Sequence, residues 1–156
     1  MKKYILQYGF TGFIKLLISL IRTKIFYPQA RIIRFPIDIR NKHLIDLGNK
    51  LTTGIGCRIE AYQDKFLNEK LVVIGNDVEI NDYVHISAGQ KIVIGDNVLI
   101  ASKVFISDLN HGNYKGENPD NPSSAPKSRK LSTNPILIKN NVWIGEGVCI
   151  MPGVTI

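Results

Sequence analysis

Cysteine is scarce in this chain: Cys57 and Cys149 are the only two in 156 residues. They lie far apart, in different repeats, which argues against a disulfide framework and favours a reducing compartment such as the cytoplasm. Acidic residues are also in deficit, 13 against 20 Lys and Arg, giving a net charge of +7 and a pI near 9.5. Such a balance suits an anionic ligand or surface: nucleic acid, phospholipid headgroups or a phosphate-bearing cofactor. Aromatic residues are only 8% and do not interleave with a dense basic run, and zinc-finger spacing is missing, so nucleic acid is not an expected partner. Charged residues amount to 21% against 44% hydrophobic, which indicates one folded domain rather than disorder.

Long uninterrupted apolar runs are missing too. Residues 1–21 come nearest, but Lys15 breaks the run and no small-x-small cleavage site follows. The segment therefore reads as neither a secretion signal nor a span long and apolar enough for a bilayer. Residues 4–22 are expected to form a helix whose broad apolar face, including Leu6, Phe10, Ile14, Leu17 and Ile21, is flanked by Lys2, Lys3, Lys15, Arg22 and Lys24. Gly9 and Gly12 weaken it. Residues 1–30 thus form an N-terminal amphipathic segment, suited to packing on the domain or to contact with an anionic membrane surface.

What is abundant is a period of six. Ile74, Ile80 and Ile86 recur at that spacing, as do Ile94, Ile100 and Ile106, and then Ile138, Ile144, Ile150 and Ile156. Four residues after most of these stands a valine: Val78, Val84, Val98, Val104, Val142, Val148 and Val154. Glycine follows the aliphatic at Gly75, Gly95 and Gly145, where it suits a tight corner. Six is neither a helical nor a simple strand period. It is explained if each hexapeptide forms one flat side of a triangular prism and three make a coil of 18 residues. Stacked coils then pair as parallel strands about 4.8 Å apart around a central column of Ile and Val. Residues 74–91, 94–111 and 138–155 are such coils, preceded by a weaker one over 47–64 through Leu47, Thr53 and Ile59. Cys57 falls on a small inward position of that coil and reads as a packed thiol.

The pattern breaks at 65–73, by two extra residues around Lys91–Val93, and most widely after Ile106. There, about 25 residues rich in Pro, Asn, Ser and Lys intervene before the repeat resumes near Ile136, a length that favours a functional loop. The expected domain therefore covers 31–156 with an extended loop at 109–135. His111 opens that loop and is the candidate general base. His43, in the entry segment, and His85, at an expected outward corner, read as ordinary solvated residues.

The segments Ile94-Gly95-Asp96-Asn97-Val98-Leu99-Ile100-Ala101, Asp108-x-x-His111 and Asn141-Val142-Trp143-Ile144-Gly145 resemble the hexapeptide-repeat acyltransferases, in the branch of sugar O-acetyltransferases. Arg31-Ile32-Ile33-Arg34-Phe35-Pro36, Ile80-Asn81-Asp82-Tyr83-Val84-His85-Ile86 and Val104-Phe105-Ile106-Ser107-Asp108 resemble the bacterial lipopolysaccharide O-antigen members most strongly. The resemblance implies a left-handed parallel β-helix, a homotrimer with sites between neighbouring prisms, and acetyl-CoA as acyl donor with no metal required. It implies that His111 takes the proton of a sugar hydroxyl as the oxygen attacks the thioester. Asn81 and Asp108 are the implied acceptor-binding residues, and Trp143, Gly145 and Glu146 the implied acyl-CoA-binding ones, the Gly145 amide at the oxyanion.

Several relatives carry serine in place of Glu146, and the turn Ser87-Ala88-Gly89-Gln90 lacks the carboxylate with which galactoside-type relatives hold their sugar. The repeat runs to Ile156, where another coil is expected, so relative to the family the β-helix reads as truncated at its C-terminal end: either this is a fragment of a longer chain or the CoA site is incomplete. The implied setting is the cytoplasm or the cytoplasmic face of the inner membrane, with a sugar or lipid-linked oligosaccharide as acceptor. The competing readings are a non-catalytic hexapeptide scaffold or inactive fragment, and an acetyltransferase for an amino sugar, amino acid or antibiotic. A γ-type carbonic anhydrase does not fit, because Ile106 and Gly116 deny His111 a histidine five residues away.

Overall fold

The computed structural model describes residues 2–62, 69–114 and 118–156. After a helix, α1 (Lys2–Phe26), the chain winds through five coils. The first carries β1 (Ile32–Ile33), β2 (Ile37–Arg40) and β3 (Ile45–Asp46); the second β4 (Thr52–Thr53), β5 (Cys57–Ala61) and β6 (Val72–Ile74); the third β7 (Glu79–Ile80), β8 (His85–Ala88) and β9 (Ile92–Ile94). The fourth begins with β10 (Leu99–Ile100) and β11 (Phe105–Ser107), leaves the prism through an arm containing β12 (Leu109–His111) and β13 (Leu131–Thr133), and returns at β14 (Ile136–Ile138). β15 (Trp143–Ile144) and β16 (Cys149–Ile150) follow, and Thr155 bridges to Leu137.

Corresponding strands stack in parallel into three sheets. The first side orders β1-β4-β7-β10-β15, the second β2-β5-β8-β11-β16, and the third β3-β6-β9-β14. The six-residue period becomes vertical columns: Ile33, Thr53, Ile80, Ile100 and Ile144 lie in register, as do Ile39, Ile59, Ile86, Ile106 and Ile150. Most are below 2% exposed, and each buried Ile stabilises by roughly 1.5–3 kcal/mol. Every third side is longer, and carries two inward residues per strand: Val72 and Ile74, Ile92 and Ile94, Ile136 and Ile138. The two extra residues near Lys91 are therefore part of that side rather than an interruption.

Corners have their own rule. The third residue after Ile74, Ile80, Ile94, Ile100 and Ile138 takes a left-handed conformation, at Asp77, Tyr83, Asn97, Lys103 and Asn141, with φ between 54° and 61°. The glycines at 75 and 95 serve a different purpose from the expected tight turn. A Cβ on Gly75 would lie 2.5 Å from Asp96 Oδ1, and one on Gly95 2.3 Å from Asn140 Oδ1. Those side chains cap the coil below: Asp96 Oδ1 accepts from Asn76 N at 2.6 Å and Asn140 Oδ1 from Asp96 N at 2.9 Å. Glycine is needed for close stacking.

Two expectations change at the N-terminal end. The prism starts one coil earlier than residue 47, because Ile33 and Ile39 lie under Thr53 and Ile59. The helix is also longer than 4–22, and by length and composition alone it is long and apolar enough to cross a membrane, contrary to the reading from Lys15. Gly9 interrupts its helical backbone at φ 69°. Its C-terminal part rests on the first coil: Thr23 is fully buried, its Oγ1 donates to Ser19 O at 2.7 Å and accepts from Ile33 N at 2.8 Å, and Arg22 lies 3.8 Å over the Phe35 ring. The remainder leaves Leu6, Phe10 and Ile21 more than 60% exposed. Of the expected interruption at 65–73, residues 65–68 lie outside those described, whereas Leu71 and Val72 are buried and Val72 opens β6, so the repeat has already resumed there.

Candidate active-site groove

The arm after Ile106 leaves the prism because Asp108 ties its base down. Asp108 is fully buried, and its carboxylate accepts from the backbone amides of Gly89, Gln90 and Lys91 at 2.6, 2.9 and 2.6 Å. Its carbonyl accepts from Asn134 N, closing the other end of the arm. From there β12 and β13 pair antiparallel, His111 opposite Leu131. Ser132 Oγ donates to Gly112 O at 2.7 Å and the Tyr114 hydroxyl donates to His111 O at 2.5 Å. Arg129 donates to that hydroxyl and to Pro122 O, so the segment is cross-tied. The stretch at 115–117 lies outside the described residues. Asp108, expected at the acceptor, is thus committed to the turn 89–91, with no exposed surface to offer a ligand.

Between the arm and the second side runs a groove of about 510 Å³. Its floor is the outward column Glu60, Ser87 and Ser107, which are 2%, 6% and 2% exposed although they point away from the core. His85 and Phe105 form one wall, their rings 5.3 Å apart at 58°, and Leu109, Asn110, His111 and Leu131 the other. Tyr62 and Met151 also line it. His111 is exposed, and its imidazole has no hydrogen-bond partner among the described residues. It is therefore free to act on a ligand in the groove.

The expected view of His85 does not hold. It is half-buried, and its Nε2 meets Glu60 Oε1 at 2.9 Å. Glu60 Oε2 accepts from Arg58 Nε at 2.7 Å and Arg40 Nη1 at 3.3 Å. Burial pushes the Glu60 carboxyl up, but hydrogen bonds from Tyr62, His85 and Arg58 outweigh it and leave it below the usual range. No short-range motif announces this cluster, because Glu60 and His85 belong to different coils. Stacking the six-residue columns would have put Glu60 beside Ser87 on the outward face.

The other expected residues lie elsewhere. Asn81 and Gly145 follow Ile80 and Ile144 at the corner between the first and second sides, and Trp143, 75% exposed, precedes that corner. Glu146 pairs with Lys103 at 3.0 Å, both exposed. The second side of the prism separates this corner from His111, so one chain does not bring the two sets together. Among the described residues no three His, Cys, Asp or Glu side chains converge as metal donors.

No family model matches the chain. It is 40% identical over 151 residues to the "Putative lipopolysaccharide biosynthesis O-acetyl transferase WbbJ" of Escherichia coli K12, covering 96% of this chain and 74% of that protein. It is 39% identical over 83 residues to the galactoside O-acetyltransferase of the same organism, covering 53% of this chain and 37% of that one. The N-acyltransferase AntD of Bacillus cereus, solved in complex with dTDP-4-amino-4,6-dideoxyglucose and coenzyme A, superposes with a TM-score of 0.62 over 80% of this chain and 62% of its own, at 21% identity. That likeness carries the fold, including its left-handed winding. The prism, the tied arm and the relative matched over nearly the whole chain agree: this chain belongs to the hexapeptide-repeat acyltransferases, near the lipopolysaccharide O-acetyltransferases.

Proposed function

We propose that this protein moves the acetyl group of acetyl-CoA to a sugar hydroxyl of a lipopolysaccharide O-antigen or another surface polysaccharide. The observation that carries the reading is His111: an exposed imidazole with no hydrogen-bond partner among the described residues, on a cross-tied arm above a groove with a polar floor. His111 takes the acceptor hydroxyl proton as the oxygen attacks the thioester carbonyl. The C–O bond forms, the C–S bond breaks, and the proton passes to the departing CoA thiolate. Asp108 serves as a positioning residue by fixing the arm to the turn 89–91.

Asn81 at the acceptor and Trp143, Gly145 and Glu146 at the acyl-CoA belong to the same proposal, and their separation from His111 supports a homotrimer. The corner of one prism would then complete the groove of the next. A helix with exposed apolar residues and a basic rim supports a setting in the cytoplasm, in peripheral contact with the inner membrane that holds lipid-linked acceptors.

The test is His111→Ala, assayed by CoA release with a panel of p-nitrophenyl hexopyranosides as acceptors. kcat should fall by roughly 10²- to 10⁴-fold while CoA affinity by calorimetry stays within about twofold. Near-normal turnover would overturn the mechanism, and a monomer in sedimentation equilibrium would overturn the shared site.

A further inference from the structure

A second histidine faces the same groove, and its surroundings are unusually complete. Glu60 is 98% buried on the outward side of a sheet, where a side chain would ordinarily meet water, and it receives Arg58, Arg40 and His85 together. Arg40 is itself held by Asp38 at 2.7 Å. Burying a carboxylate is costly unless every lone pair is satisfied, and here the arginines take one oxygen while His85 takes the other. Because Glu60 is held ionised it can only accept, so the Nε2 of His85 carries the hydrogen. When the ring is uncharged its acceptor is then Nδ1, and no described residue donates to it. A carboxylate that fixes the tautomer and orientation of an imidazole leaves the second nitrogen ready for a ligand.

The surroundings indicate which ligand. The ring of Phe105 leans on His85 and Tyr62 stands beyond Glu60, so the groove joins apolar faces to hydroxyl-bonding groups. The local charges nearly cancel: Asp38 and Glu60 face Arg40 and Arg58. An anion gains little there, whereas a neutral polyol offers both C–H faces and hydroxyl donors.

We propose that Glu60 and His85 form an acceptor-recognition pair, in which Glu60 fixes the imidazole and His85 Nδ1 accepts a hydrogen bond from a hydroxyl of a neutral hexose. That hydroxyl is a neighbour of the one His111 deprotonates, so the pair selects which oxygen reaches the thioester. The inference rests on the sugar-acetyltransferase reading above and adds a specificity-determining residue to it.

The two ring nitrogens can be tested separately, because an Asn amide oxygen replaces Nδ1 and a Gln amide nitrogen replaces Nε2–H. Wild type, His85→Asn and His85→Gln are compared with p-nitrophenyl hexopyranosides and acetyl-CoA, and the wild-type His85 ring nitrogens are followed by ¹⁵N NMR during glycoside titration. His85→Gln keeps the bond to Glu60 but should raise acceptor KM by about tenfold, with acetyl-CoA KM unchanged. His85→Asn should recover part of that loss despite abandoning Glu60. Acceptor KM at the wild-type value in His85→Gln, or a wild type that transfers acetyl while its His85 signals stay still, would overturn the pair and leave the sugar-acetyltransferase reading standing. If no glycoside accepts acetyl and none shifts His85 Nδ1, both fall.

Discussion

The second side of the prism has two faces that are equally dry and differently made. Inward, Ile59, Ile86, Ile106 and Ile150 stack in one column; outward, Glu60, Ser87 and Ser107 form another, with no member above 6% exposed. The inner column is buried by its neighbours one coil away, and repetition alone suffices for it. The outer column is closed by side chains of its own and adjoining coils and by the arm: Arg58, Arg40 and His85 cover Glu60, and the arm's Leu109 and Thr133 would lie within 3.3 Å of a Cβ on Gly89. A repeat can therefore build a core by itself, but a site requires a break in the repeat that folds back onto it.

Cutting into each face should separate them. Ile86→Ala removes a fully buried side chain from the inner column and is expected to cost roughly 2–5 kcal/mol in denaturant unfolding, with all coils loosened. Asp108→Ala strands three amides at the base of the arm and should cost roughly 2–4 kcal/mol, with faster amide exchange concentrated in 89–91 and the arm. If both variants loosened the same amides, the two faces would be one cooperative unit and the comparison would fail.

A smaller effect is expected within the outer column. Glu60→Gln should cost roughly 1.5–3 kcal/mol at pH 7, the usual worth of hydrogen bonds to charged groups. Its pH dependence is the sharper readout. The folded pKa of Glu60 lies below its ordinary 4.5, so its contribution is present above that value and lost as pH falls through the folded pKa. Among the described residues the charged and titratable groups facing it are Arg40, Arg58, His85 and Tyr62, and only Glu60 is removed by the variant. Glu60→Gln should therefore show a shallower fall in stability below pH 4.5 than wild type. An unchanged slope would mean that the acid sensitivity lies elsewhere. Glu146→Ala should have the smallest effect, under about 1 kcal/mol, because the pair with Lys103 is exposed on both sides.

How far the sequence could be read depended on whether a feature repeats. The Ile and Val columns, Cys57 as a buried thiol and the arm near His111 are all departures from, or members of, a six-residue period. The earliest coil is hidden in the sequence because Pro36 and Asn41 punctuate it, and the helix is longer than its pattern suggests because the apolar residues around Lys15 outweigh that one charge. Glu60 and His85 escaped because they are neighbours only between coils. Asp108 stands three residues from His111 in the sequence, yet its partners are amides about twenty positions earlier.

By itself the sequence determined the prism. A period of six with small apolar residues at set offsets has few ways to bury its aliphatics, and stacked triangular coils are the way this chain uses. Tertiary structure alone decided the chemistry of the outer face: which carboxylate closes the arm, which one orients His85, and which corner residues a single chain keeps apart from His111. The physical reason is that hydrophobic burial is non-directional and follows composition along the chain, whereas hydrogen bonds among buried charges depend on register between coils and on where the arm lands.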